Sequence, residues 1–329
     1  MWHTVLIVFL FLVGLALIVK GGDVFVDAAT WIAETFGIPK FIVGATIVSM
    51  ATTLPELLVS AFAAAQGSVD MAIGNAIGSV TANIGLIMGI SIVCLPSIIR
   101  RRDILPKSAM MVGAALLILL FCLGGSFGWV GSILLLLIFA LFIFENLREA
   151  KRSMLLERAQ ADGETKERVK PAKKAIVINV VKFILGAAAI VGGAELMVNY
   201  GKEIAGLLGI PESIIGVTVI AIGTSLPELV TTITAIIKKQ SSLSIGNILG
   251  ANIIDLALIL PVCKIICGGN LPVAKQSFML DMPACFIVSL VAVLPTIITG
   301  KFHRWQGVLL LLVYAVYVVL LCTNVIPVN

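Results

Sequence analysis

Two copies of one short motif place a carboxylate inside apolar sequence: Thr52-Thr53-Leu54-Pro55-Glu56 and Thr224-Ser225-Leu226-Pro227-Glu228. A carboxylate at the centre of a bilayer costs roughly 2.5 to 3.5 kcal/mol on insertion scales. Glu56, Glu228 and a third buried acid, Asp255, would together cost about 8 to 10 kcal/mol if left unpaired. No apolar run carries a lysine or arginine at matching depth to neutralise them. The simplest neutralising charge is a bound cation, or protons when the cation is absent. Thr52 and Thr53 stand four and three positions before Glu56, so hydroxyls and carboxylate share one helix face. Pro55 lacks the N–H that would reach the Ala51 carbonyl, and its ring clashes there, so a kink is expected around 49–53 that frees carbonyl oxygens. Pro227 does the same beside Gly223. Carboxylate, hydroxyl and carbonyl oxygens are hard ligands suited to Ca²⁺, which takes six to eight of them at about 2.3 to 2.6 Å. Two glutamates balance its double charge.

A polar stripe at a spacing of four, Asn75, Ser79 and Asn83, is answered by Asn247, Ala251 and Asp255. One helix face in each half could therefore close the site from the other side. Gly74, Gly78, Gly246 and Gly250 form small-xxx-small pairs that let helix backbones approach closely.

The elements that must position these residues follow from composition. Of 329 residues, 60% are hydrophobic and 12% charged, against about 25% charged in an ordinary soluble domain, and the mean hydropathy is +1.13. A membrane span needs about 20 mostly apolar residues. Ten such stretches are present, near 4–24, 40–65, 70–95, 107–125, 128–147, 175–200, 212–237, 243–266, 277–299 and 306–324. The expected fold class is all-α integral membrane protein. The first stretch lacks the basic leader of a signal peptide and is read as a retained helix. The six cysteines lie in or beside apolar runs with no zinc-ligand spacing and read as small hydrophobes.

Lysine and arginine orient the chain, because cytoplasmic loops are enriched in both. With the termini outside, twenty basic residues fall on the inner side, and only Lys202, Lys264 and Lys275 fall outside. The net charge of +5 is thus an orientation signal and gives no reason to expect nucleic-acid binding. The expected location is the cell membrane, multi-pass, with both termini extracytoplasmic and the 148–174 segment cytoplasmic.

Sliding the chain against itself exposes a constant offset of 172 residues: Ile42 to Glu56 matches Ile214 to Glu228, Gly37-Ile38-Pro39 matches Gly209-Ile210-Pro211, and Asn83 matches Asp255. Each half holds five spans, an odd number, so the second must enter the membrane with opposite polarity. Such inverted repeats place the substrate site at the midplane on interrupted helices. The domains expected are a first five-helix repeat over 1–147 with its motif region near 40–95, a linker over 148–174, and a second repeat over 175–329 with its motif region near 212–266.

At these residues the sequence resembles the calcium/cation antiporter superfamily, and within it the sodium/calcium exchanger branch of prokaryotic type. The family's two repeats carry this Gly-Thr-Ser-x-Pro-Glu and Gly-Asn-x-x-Gly-Ser pattern. The resemblance covers nearly the whole chain. It implies a ten-helix fold with a central site, long tilted first and sixth helices that slide against a rigid bundle, and exchange of Ca²⁺ for Na⁺ with no cofactor. By position it assigns Ca²⁺ to Glu56 and Glu228 with the backbone oxygens of Thr52 and Thr224. It assigns Na⁺ to the carbonyls of Ser49 and Ala221, the hydroxyls of Thr53 and Ser225, Ser79, and the same two glutamates. Asn83 and Asp255 would face the centre. The chain departs from the pattern at Ala51, where glycine is usual, and at Ala251, where serine is usual; the second departure bears on one sodium site. Gly78 and Gly250 stand where proton-coupled relatives usually carry glutamate, which argues for sodium over protons, with Ca²⁺/H⁺ exchange kept as the alternative; Asp255 resembles the potassium-dependent exchangers, so K⁺ coupling stays open as well.

Two other classes compete. An intramembrane enzyme could use paired carboxylates as acid and base, but there is no second nucleophile, zinc-binding histidine pair or phosphate loop beside them. A channel commonly draws a ring of ligands from several subunits, whereas one chain here supplies both half-sites. The expected functional unit is a monomer in a lipid bilayer with Ca²⁺ and Na⁺ as substrates.

Overall fold

In lipid no water is present to bond backbone N–H and C=O groups, so each apolar run must satisfy its own backbone as helix. The protein, described at residues 2–95, 101–163, 172–207 and 225–323 in a computed structural model, follows that rule. Helix α1 spans Trp2–Phe36, α2 Lys40–Thr52, α3 Leu54–Ala65, α4 Val69–Cys94, α5 Arg101–Phe121 and α6 Trp129–Gly163. Then come α7 at Lys173–Leu207, α8 at Leu226–Ile237, α9 at Ser241–Cys267, α10 at Ser277–Thr299 and α11 at Arg304–Cys322. Among the described residues, eight helices are long and apolar enough to cross a bilayer, and α2 with α3, bent by 42°, is a ninth candidate. Helix α8 is apolar but only 12 residues long. The first part of the expected 212–237 span, through residue 224, lies outside the described residues.

Three boundaries differ from those expected. Helix α1 runs on to Phe36 instead of stopping near residue 24, because a helix closes its own hydrogen bonds whether or not its side chains are apolar; Gly37 at φ 68° ends it. Its polar second half is used: Lys238, just past α8, places its Nζ 2.7 Å from Asp27 and 3.5 Å from Asp23. Helix α7 likewise reaches Leu207. Helix α6 continues through Gly163, so the first part of the expected tether is helical; its Glu, Ala, Lys, Arg, Met and Leu residues are good helix formers.

The helices pack through glycine. A methyl group on Gly14 would strike the Gly193 carbonyl, one on Gly193 would strike the Gly14 carbonyl, and Gly21 and Gly186 block each other in the same way. Since rising numbers on α1 meet falling numbers on α7, the two helices cross antiparallel. Helices α2 and α9 instead run parallel. Gly246 lies against the Phe41 carbonyl, Gly250 against the Ala45 carbonyl and the Ser49 hydroxyl, and Gly44 against the Leu243 carbonyl. The small-residue packing expected of Gly246 and Gly250 is therefore realised, with Gly44 as the reciprocal contact. Helices α4 and α9 are buried over most of their length, whereas α1 and α7 lie at the margin.

Four helices contain a widened π turn: Gly44–Val48 in α2, Asn83–Met88 in α4, Asp255–Ile259 in α9 and Ser277–Asp281 in α10. Such turns occur often at functional sites. A two-residue antiparallel ribbon, Ser126–Phe127 on Leu271–Pro272, ties the turn after α5 to the turn after α9. Beside it Lys264, at the outer end of the expected 243–266 span, is buried; its ammonium donates to the Gly269 carbonyl and sits 4.5 Å from the centre of the Trp129 ring. The cysteines are free thiols, and Cys263 and Cys267 donate weakly from α9 to carbonyls of α3 at 3.5 Å.

Candidate cation site

The break between α2 and α3 follows from Pro55. Without an N–H at that position the helix cannot continue through Ala51. Thr53 turns aside at φ −81°, ψ −7°, and Pro55 restarts the chain in the first turn of α3. Ser225 adopts φ −88°, ψ 5° before Pro227 in the first turn of α8. From Thr53 and from Ser225 onward the two motifs build one local shape, with the glutamate in the first turn of the helix that follows. Negative charge is favoured there by the unpaired N–H groups and the helix dipole.

Glu56, Glu228 and Asp255 are all buried, at 0, 1 and 1% exposure. Among the described residues none of their six carboxylate oxygens has a hydrogen-bond partner, nor do the hydroxyls of Thr53, Ser79 and Ser225 or either atom of the Asn83 amide. The carboxylates lie within electrostatic reach of one another, Glu56 of both Glu228 and Asp255. The Thr52 and Thr53 side chains face Glu228 at a range longer than a hydrogen bond. The buried lysines are engaged elsewhere: Lys107 lies 3.2 Å from Glu149 and 3.9 Å from Glu145, and Lys264 sits at the ribbon. No group of three or more His, Cys, Asp and Glu side chains gathers in metal-ligand geometry among the described residues. A cation here would need oxygens from hydroxyl, amide and carbonyl groups as well as carboxylates.

Two asparagines hold the frame. Asn75 donates to the Glu56 carbonyl at 3.2 Å and to the Ser60 hydroxyl at 2.9 Å, fixing α3 on α4. Asn247 donates to the Thr231 hydroxyl at 3.1 Å and accepts from the Thr52 hydroxyl at 3.3 Å, joining α8, α9 and α2. Thr231 passes its own proton to the carbonyls of Pro227 and Glu228, at 2.9 and 3.0 Å. Asn75 and Asn247 belong to the stripe that could close the site, and a lone intramembrane asparagine is expected to pack helices; both act as struts between helices here. Ser60 and Thr231 were not anticipated, and their signal was a hydroxyl within one turn after Pro-Glu.

The structure brings Thr52, Thr53, Glu56, Ser225, Glu228 and Asp255 together. Ser79 and Asn83 are buried on α4, with Ala251 fully buried at the equivalent place on α9. The Ser49 carbonyl accepts from the Thr53 N–H at 2.9 Å and the Thr52 hydroxyl at 3.3 Å. Thr224 and Ala221 lie outside the described residues.

A helical membrane protein with buried, unpaired carboxylates on broken helices belongs to the class of ion transporters. The family described as sodium/calcium exchanger protein matches residues 6–147 and 178–323. The sodium/calcium exchanger MaX1 of Methanosarcina acetivorans is 30% identical, over 94% of this chain and 97% of its own. The inner membrane protein YrbG of Escherichia coli is 32% identical, over 91% and 95%. A solved structure of the sodium-calcium exchanger NCX_Mj superposes with a TM-score of 0.81 at 32% identity, covering 96% of this chain and 99% of that one. The chain belongs to the sodium/calcium exchanger family, whose members are transporters and not enzymes.

Proposed function

We propose that this protein exchanges Ca²⁺ for Na⁺ across the membrane by alternating access, with Glu56 and Glu228 as the shared ligands. The observation that carries this reading is the set of buried carboxylate and hydroxyl oxygens, drawn from both halves of one chain, that no donor among the described residues satisfies. Ca²⁺ takes the two glutamates with backbone oxygens of Thr52 and Thr224. Sodium takes the same glutamates with Thr53, Ser225, Ser79 and the carbonyls at Ser49 and Ala221. Overlapping ligands prevent both ions from binding fully at once, and a site emptied of both leaves like charges unneutralised at low dielectric. Movement restricted to the neutralised states makes the cycle an exchange.

The accompanying architecture is ten spans in two inverted five-helix repeats, over 1–147 and 175–329, with the termini extracytoplasmic. It is supported by the bounds of α3 and α8, which differ by 172 residues at both ends, and by the antiparallel α1–α7 crossing. The two matched stretches of the family fall on either side of the linker. A single chain supplies both half-sites, consistent with a monomeric unit.

The test is ⁴⁵Ca²⁺ uptake by proteoliposomes loaded with Na⁺, with K⁺, or with only a proton gradient. Uptake driven by internal Na⁺ is expected, and Glu56→Gln or Glu228→Gln should abolish it while the protein still inserts. Wild-type flux in either variant would sink the reading, and uptake driven by protons alone would replace sodium with H⁺ as the coupling ion.

A further inference from the structure

A second site lies away from the carboxylates. A cavity of about 770 Å³ opens where α2 and α5 begin and where the apolar run of α6 gives way to charged residues. We propose that it binds the phosphate of an anionic phospholipid headgroup.

Its walls carry four cationic side chains, Lys40, Arg102, Arg148 and Arg152. The three arginines are exposed. Among the described residues none of them is held in an ion pair with a carboxylate, whereas Lys40 is shared with Glu34 at 2.7 Å. Three acids, Asp103, Glu145 and Glu149, also line the cavity, and the buried Lys107 ammonium, shared between Glu149 and Glu145, offsets one of their charges. That leaves two negative charges against the three guanidinium groups, and the cavity stays net positive. Planar guanidinium forks match phosphate oxygens two at a time, and basic pockets between helices at this depth suit anionic headgroups.

The lipid is favoured over free phosphate by the remaining wall. Phe41, Ile42 and Leu156 line the same space, and a glycerol backbone with the tops of its acyl chains can cover them where an inorganic ion cannot. The cavity also exceeds what a lone phosphate fills, since a water molecule's share of volume is about 30 Å³. An occupant would touch Lys40 at the start of α2 and Ser242 at the start of α9, the helices that carry Thr52 and Asp255. It would thereby bridge the entrances of two site helices without entering the site.

The experiment is thermal melting of the full-length protein in detergent with added phosphatidylglycerol, phosphatidylcholine or inorganic phosphate. Wild type should gain about 3 °C or more from phosphatidylglycerol over phosphatidylcholine. The Arg148→Gln/Arg152→Gln variant should melt as wild type does in phosphatidylcholine and lose most of that gain. Lys301→Gln/Arg304→Gln, exposed basic residues away from the cavity, should keep it. If the first variant does not fold, Arg102→Gln serves in its place, with bound lipid counted by native mass spectrometry. An undiminished gain in the cavity variants, an equal loss in the control, or equal effects of both lipids would each overturn the site. A full gain from inorganic phosphate alone would overturn the lipid as its source.

Discussion

The carboxylates of Glu56, Glu228 and Asp255 accept no hydrogen bond from the described residues, and an unpaired charge in a dry interior is among the most costly arrangements a chain can adopt. That cost made these residues legible from sequence, since nothing in hydrophobic packing requires two acids at equivalent places. Ser60 and Thr231 were harder to find because a hydroxyl inside a helix ordinarily bonds its own backbone, and Thr231 does so as well. Ala251 is one of the places where the halves diverge chemically: Ser79, its counterpart, has a buried hydroxyl with no partner among the described residues. If that oxygen serves Na⁺ in one half only, Ala251→Ser restores a ligand in the other. The Na⁺ concentration for half-maximal Ca²⁺ exchange should then fall about five-fold, equivalent to roughly 1 kcal/mol, as read from ⁴⁵Ca²⁺ flux against Na⁺. An unchanged midpoint would mean that position 251 does not reach the ion.

Helix bends and crossings are set by proline and glycine, whose effects are local and sterically sharp, and these features could be anticipated. The π turns could not, because they preserve hydrophobic pattern while shifting the hydrogen-bond ladder by one residue. Helix ends past the bilayer were misjudged for a related reason: hydropathy reports lipid, and the helix of α1 outlasts it. The bend gives a direct test. Pro55→Ala returns an N–H toward the Ala51 carbonyl and relieves the ring clash, so α2 and α3 should straighten. Melting temperature should hold or rise while ⁴⁵Ca²⁺ uptake falls at least ten-fold; full uptake would show that the 42° bend is dispensable. The α2–α9 crossing gives another. Gly246→Ala or Gly250→Ala drives a methyl into backbone carbonyls that cannot yield, costing about 1–3 kcal/mol. Gly201→Ala, where a methyl meets only an aromatic edge at 3.6 Å, should leave thermal melting unchanged.

Across the molecule, charge told more about sidedness than about burial. Lys107 and Lys264, each counted toward one side of the membrane at the end of an expected span, are both fully enclosed. A lysine near the end of a span can bury its stem and carry its ammonium to a partner, and a one-dimensional reading has no means of seeing Glu149 or the Trp129 ring across the gap. The bias among the remaining basic residues is so one-sided that removing these two leaves the expected orientation unaltered.

The reciprocal contact between α1 and α7 deserves one more step. Gly14 meets Gly193 while Gly21 meets Gly186, and under the 172-residue shift Gly14 corresponds to Gly186 and Gly21 to Gly193. Each of the two α1 glycines therefore touches the counterpart of the other, which is the contact pattern of an isologous dimer interface. If the two halves are inverted repeats, this seam is one that two separate subunits could form without a peptide bond between them. Residues 1–160 and 161–329, produced as separate polypeptides in one cell, should accordingly find each other, copurify, and recover at least half of the intact protein's ⁴⁵Ca²⁺ uptake. Failure to copurify would make the linker a structural tie in its own right.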